Sequence, residues 1–113
     1  MITIETLKAY GADIDEGLAR CMGMEEFYLQ LVGTMLEDAN FAKLDAAVEA
    51  KDAKAGFEAA HALKGALGNL ALTPVCKPVE EITEKLRGQD EMPDISDLYT
   101  QYKKALDELK AMK

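Results

Sequence analysis

The sequence predicts an all-α protein, an antiparallel four-helix bundle with short additional helices at its N-terminal end. Three observations predict it. Apolar residues recur at spacings of three and four along almost the whole chain, cap and stop residues fall where those periodic stretches end, and no run alternates as a half-buried strand does. The connections are short and no Ser/Gly-rich or low-complexity segment divides the chain, so residues 1–113 are expected to form one domain.

Taken in order, the first segment, Thr3 to Tyr10, is short and amphipathic, and Gly11 ends it. Asp13 followed by Glu16 reads as a capping box for a second short helix reaching Arg20 or Cys21, with Gly23 as its stop. From Met24 the stripe Phe27, Tyr28, Leu31, Met35 and Leu36 is expected to face inward. Glu37 to Asn40 reads as a break. Asn40 is expected to cap a continuation that buries Phe41, Leu44 and Val48, and Asp52 to cap the next helix, which runs to about Leu70. Thr73 is expected as an N-cap with Pro74 at the first helical position, and Val75, Val79, Ile82 and Leu86 carry the stripe to Gly88. Pro78, a turn inside, predicts a bend there or a start nearer Lys77. Asp94 is expected to cap the last helix, whose inward set is Ile95, Leu98, Tyr99, Tyr102, Ala105, Leu106, Leu109 and Met112.

The 113 residues carry 13 Lys and Arg against 21 Asp and Glu, a net charge of −8. Folding a chain of this size buries somewhat over roughly 60% of its unfolded surface, enough for one core but not for a kinase or nucleotide-binding domain beside it. The charge argues against nucleic acid and anionic membrane as partners, both of which call for clustered Lys and Arg. Cys21 and Cys76 lack the CxxC spacing of a zinc or redox site, and no apolar run approaches the ~20 residues of a membrane span. The start Met-Ile-Thr-Ile-Glu lacks a secretion-signal pattern, so a cytoplasmic protein with two free thiols acting as packing residues is expected.

The helix from Asp52 to Leu70 holds the unusual chemistry. At about 100° per residue, Ala59, Leu63, Ala66, Leu67 and Leu70 share an inward face, while Lys54, Phe57, His61, Lys64, Gly65 and Gly68 lie opposite. Each Gly in a helix interior costs about 1 kcal/mol against Ala. Two of them beyond the only His leave a bare strip of backbone along which another protein can approach the imidazole. Lys64 adds a fixed positive charge beside it. An exposed imidazole, an adjacent ammonium and a cleared approach suit acceptance of a phosphoryl group on a ring nitrogen, because neutral His is a competent nucleophile near pH 7. Against this stand blander readings: a lone surface His, a solvated Lys, glycines that serve close packing, and a Phe57 that either edges the core or belongs to an apolar docking patch.

The stretch Ala60-His61-Ala62-Leu63-Lys64-Gly65, followed by Gly68-Asn69-Leu70, resembles the signature of histidine-containing phosphotransfer (HPt) domains, the His carriers of multistep phosphorelays. The family pattern is His, any residue, Leu, Lys, Gly, then a small-residue turn and an Asn-Leu-Gly ending. The acidic Asp-Glu-Gly-Leu-Ala-Arg segment before the first long helix also fits the architecture. The resemblance implies His61 as phosphoacceptor, Lys64 as phosphate-stabilising residue and Gly65 as the access glycine. Ala71 departs from it, standing where Gly commonly follows Asn-Leu, which bears on how the helix ends.

On this reading the chain is a covalent carrier without turnover of its own, taking a phosphoryl group from a receiver-domain aspartate and passing it to another receiver. Response-regulator receivers are the expected partners, with a hybrid histidine kinase as a further candidate, and Lys54, Phe57 and Gly68 flank the expected docking face. The carrier is expected to be a monomer with no cofactor and no metal site, Mg²⁺ belonging to the receiver and ATP to an upstream kinase. Two rivals remain open. One is a non-covalent helical adaptor for receiver domains. The other is a carboxylate-bridged metal bundle, suggested by Glu58-Ala-Ala-His61, which a chain with a single His could complete only in a dimer. Glu58 is otherwise expected to be solvated or to orient the imidazole.

Overall fold

The computed structural model describes residues 1–113 and holds seven helices and no strand: α1 (Ile4–Tyr10), α2 (Ile14–Arg20), α3 (Glu25–Met35), α4 (Ala39–Ala50), α5 (Ala53–Asn69), α6 (Thr73–Leu86) and α7 (Ser96–Ala111). Local chemistry sets most of the ends. Thr3 and Thr6 form a reciprocal capping box on α1, and Gly11 closes it at φ +113°. Asp13 accepts from the Glu16 N–H at 3.2 Å and Asp52 from the Ala55 N–H at 3.1 Å, opening α2 and α5 at the expected residues. The box expected at Asp13 is only half formed, since its own N–H donates to Ala71 O and the Glu16 carboxylate accepts from Arg20.

α4, α5, α6 and α7 pack as successive antiparallel neighbours. Gly56 lies against Leu86 and the Cys76 thiol faces the Lys64 carbonyl at 3.7 Å, which fixes the α5–α6 register. α7 returns beside α4, where Asp45 accepts from the Tyr99 hydroxyl at 2.7 Å and from Lys103 at 3.1 Å. α3 runs ahead of α4 on the same side of α5, its Tyr28 hydroxyl donating to the Leu70 carbonyl at 2.7 Å. α3 precedes α4 across the break at residues 36–38 and buries Tyr28, Val32 and Met35 in the shared core. α1 and α2 cover one end, held by a Tyr10 hydroxyl bond to Ala105 O (2.8 Å) and an Asp13 N–H bond to Ala71 O (2.9 Å).

The buried stripes follow the expected periodicity through most of α4 to α7. Leu44, Leu63, Leu67, Val75, Val79, Ile82, Leu106 and Leu109 are fully buried in one apolar cluster. Several expectations are corrected. Phe27 is 43% exposed, because the inward stripe of α3 is Tyr28, Val32 and Met35, and a residue beside that set turns about 100° away from it. Asp38 caps α4 in place of Asn40, whose own N–H donates to the Asp38 carboxylate at 2.7 Å.

At α6 the helix starts one residue early. Leu72 occupies the cap without a side-chain bond, Thr73 is already helical, and its hydroxyl donates to Ala71 O at 3.4 Å. α6 then runs unbroken through the buried Pro78, which near the helix start removes a single N–H from the ladder. The last correction is small. Ile95 is the cap residue of α7, yet Asp94 still accepts from the Ser96 N–H at 3.0 Å.

Candidate functional site

α5 divides sharply around its circumference. Ala53, Gly56, Ala60, Leu63, Leu67 and Leu70 form a buried stripe at spacings of three and four. Opposite it, Lys54, His61 and Gly65 are exposed and Phe57, Lys64 and Gly68 half-buried, so all six sequence-predicted site residues share the outward face. The structure gathers them into two groups. His61 stands midway along α5 with Phe57 and Lys64 one turn to either side, whereas Lys54 lies a turn further off, in a cleft of about 310 Å³ between Phe57 and the Gly88–Asp90 loop.

The imidazole of His61 stacks on the Phe57 ring, centroids 5.5 Å apart and planes inclined by 19°. Phe57 in turn lies under the guanidinium of Arg87, the residue that caps the C-terminus of α6, 5.1 Å from the ring centroid. Arg87 makes two hydrogen bonds to Glu84, at 3.2 and 3.1 Å, which hold the Glu84 carboxyl below the usual carboxylate range and raise the guanidinium. The nearby Lys64 ammonium adds to the lowering at Glu84. No salt bridge engages Lys64, leaving its ammonium available to an incoming anion. Glu58 is exposed and makes no hydrogen bond to His61, which is the solvated alternative for that residue.

The two outward glycines are not equivalent. A Cβ on Gly65 would meet nothing within 4 Å, so packing does not require glycine there and the backbone is open to approach from outside. A Cβ on Gly68 would make an ordinary 3.9 Å contact with the Cys76 sulfur. Past them a groove of about 450 Å³ runs from Lys64 and Gly65 to Asn69, flanked by Arg20 of α2 and Lys77 of α6. Arg20 bridges Glu16 at 3.0 Å and the Asn69 side chain at 3.3 Å, which ties α2 to the end of the site helix.

α5 ends in a Schellman motif. The Leu72 N–H donates to Leu67 O and the Ala71 N–H to Gly68 O, both at 3.1 Å, with Ala71 at φ +55°. The departure at Ala71 therefore falls where the backbone is left-handed, a conformation that glycine adopts without strain. Cys21 and Cys76 are both buried and unpaired. Burial and the neighbouring Glu80 push the Cys76 thiol up to about 12, so it is no thiolate nucleophile at neutral pH. No three His, Cys, Asp or Glu side chains converge as metal ligands, and no helix is long and apolar enough to cross a membrane.

Glu84 and Arg87 escaped the sequence reading. Their signal was available in the tight connection after Leu70, since an antiparallel α5–α6 hairpin must set residues 84–87 beside residues 57–61. Gly17 was missed too; a Cβ there would lie 2.6 Å from the Tyr28 ring, and no local pattern marks it.

The helical bundle thus displays one histidine on an open, glycine-cleared face, with an unpaired lysine one turn on. The Hpt domain model matches residues 26–112, most of the chain, and the protein belongs to the Hpt domain family. Members of that family serve in histidine phosphotransfer within phosphorelays, as carriers that interact with receiver domains. Comparison with curated proteins and with solved structures returned no match.

Proposed function

We propose that the chain is a single-domain phosphorelay carrier that accepts a phosphoryl group on His61 from a receiver-domain aspartate and delivers it to another receiver. In the forward step the lone pair of a ring nitrogen attacks the aspartyl phosphate. The N–P bond forms as the P–O bond to the aspartate breaks, and the carboxylate leaves with the bonding pair. The receiver supplies Mg²⁺ and the acyl phosphate. This chain supplies the nucleophile, the Lys64 ammonium against the charge of the transferred group, and the clear backbone at Gly65 that lets the two proteins close to in-line distance. It carries the group without turnover of its own, as a monomer in the compartment of its receivers.

The observation that carries this reading is the exposed His61 with an unpaired Lys64 one turn on and open backbone at Gly65. Incubation with a phosphorylated receiver should place acid-labile, base-stable label on the wild type and none on His61→Gln. Equal labelling of the two chains, or of neither, defeats the reading.

A further inference from the structure

We propose that Phe57 is a positioning residue for His61, braced by Arg87, whose ring holds the imidazole in one orientation for phosphoryl transfer. The proposal rests on His61 as the phosphoacceptor. An exposed side chain on a helix samples several staggered χ1 and χ2 states, and only some of them point a given ring nitrogen along the approach of an incoming phosphorus. Something has to narrow that set. No protein hydrogen bond reaches either nitrogen of His61, neither from Glu58 nor from any backbone group, and the contact its ring makes is aromatic. Its ordered contact is the stack on Phe57, at 5.5 Å and 19°.

Residues four apart on a helix lie one above the other, which gives the two rings a common face, and offset parallel stacking is a favourable arrangement for aromatic pairs. The stack also leaves both ring nitrogens free for chemistry, as a hydrogen bond from a neighbouring residue would not. A phenyl ring steers its neighbour only if it is itself held. Phe57 is half-buried, and the Arg87 guanidinium lies over it at 5.1 Å. Arg87 is paired with Glu84 through two hydrogen bonds, at 3.2 and 3.1 Å. The order thus passes from the Glu84–Arg87 pair at the C-terminal end of α6 to Phe57 and then to His61 on α5. Pre-setting the ring removes a rotational search from the transfer step, worth about three- to tenfold in rate.

The test uses the full chain with Phe57→Leu, which keeps an apolar side chain but removes the stack, and Phe57→Tyr, which restores an aromatic face. His61 is the only histidine, so its ring protons can be followed by NMR without ambiguity. They should be shifted upfield in the wild type and in Phe57→Tyr, and should return toward free-histidine values in Phe57→Leu, with a partial return in Arg87→Gln. Transfer from a phosphorylated receiver, measured at saturating receiver so that any change in binding is removed, should slow about three- to tenfold in Phe57→Leu and recover in Phe57→Tyr.

Identical ring-proton shifts in Phe57→Leu and wild type overturn the proposal, as does a loss confined to the Kd, which would make Phe57 a docking residue. The ring shifts judge the stack with no receiver present. A wild type that takes no label but shows shifted ring protons refutes the phosphoacceptor role and leaves the stack standing.

Discussion

Gly56 and Gly65 stand on the same helix and look alike in sequence, yet their surroundings are opposite. A Cβ on Gly56 would press on Leu86 at 3.0 Å and meet Met92 and Ala47, while one on Gly65 would meet nothing within 4 Å. Gly56 lets α5 and α6 close on each other; Gly65 leaves a space on the outside. The pair shows that α5 has an interior that is full and an exterior kept empty, and that a glycine's meaning comes from the side of the helix on which it falls.

The widest way to stress the full side is alkali. Burial pushes Tyr28 and the Cys76 thiol up to about 12 from ordinary values of 10.0 and 9.0. Both groups are neutral when protonated, so the fold keeps their contribution in full below the unfolded pKa and loses it as pH rises toward the folded one. Urea midpoints should hold steady up to about pH 9 and fall progressively between pH 9 and 12, with Cys76→Ala removing the earliest part of the fall.

The largest effect of a single substitution should come from Gly17→Ala. Its Cβ would sit 2.6 Å from Tyr28, a buried ring that cannot retreat while its hydroxyl holds Leu70 O. Overpacking of this kind should cost about 2 kcal/mol, read from urea denaturation. Two buried tyrosines then divide in the same manner. Tyr28→Phe strands the Leu70 carbonyl and should cost about 1–1.5 kcal/mol, whereas the Tyr102 hydroxyl has no partner, so Tyr102→Phe should be neutral or stabilising.

The glycine pair itself should split in sign. Gly65→Ala should raise stability by about 0.5–1 kcal/mol through helix propensity alone, while Gly56→Ala, forced against Leu86, should gain nothing or lose. A larger side chain at the same open position, Gly65→Gln, should keep the fold and slow receiver-dependent labelling by about tenfold, a steric cost of about 1.4 kcal/mol. The smallest effect belongs to Ala71→Gly. Relief of the left-handed φ of +55°, offset by the greater freedom of Gly in the unfolded chain, should leave a gain of about 0.5 kcal/mol in thermal melts.

The outward face of α5 was legible because it depends on one helix: His61, Lys64 and Gly65 are set side by side by the helical repeat alone. The buried stripe was legible for the same reason, though its centre lies at Gly56, Ala60 and Leu63 and so takes in two small residues that carry little hydrophobic signal. What was not legible depends on a second element. Arg87 reaches Phe57 only because α6 folds back on α5, and Gly17 is constrained by a ring on α3. Phe27 failed for a subtler reason, since Phe27–Leu31 and Tyr28–Val32–Met35 are both plausible stripes and only the packed bundle selects the second. At Ala71 the departure from the family pattern marked the right position, and the left-handed backbone there shows what the missing glycine would have supplied.

The central claim is that one imidazole carries the phosphoryl group, and locating that group decides it most directly. After transfer from a phosphorylated receiver, a phosphorus–proton correlation spectrum at neutral pH should show one phosphoramidate signal coupled to the ring protons of His61, disappearing on acidification. A phosphoryl group found on an Asp, Glu or Lys side chain, or a chain that remains unmodified with an active receiver, would contradict it.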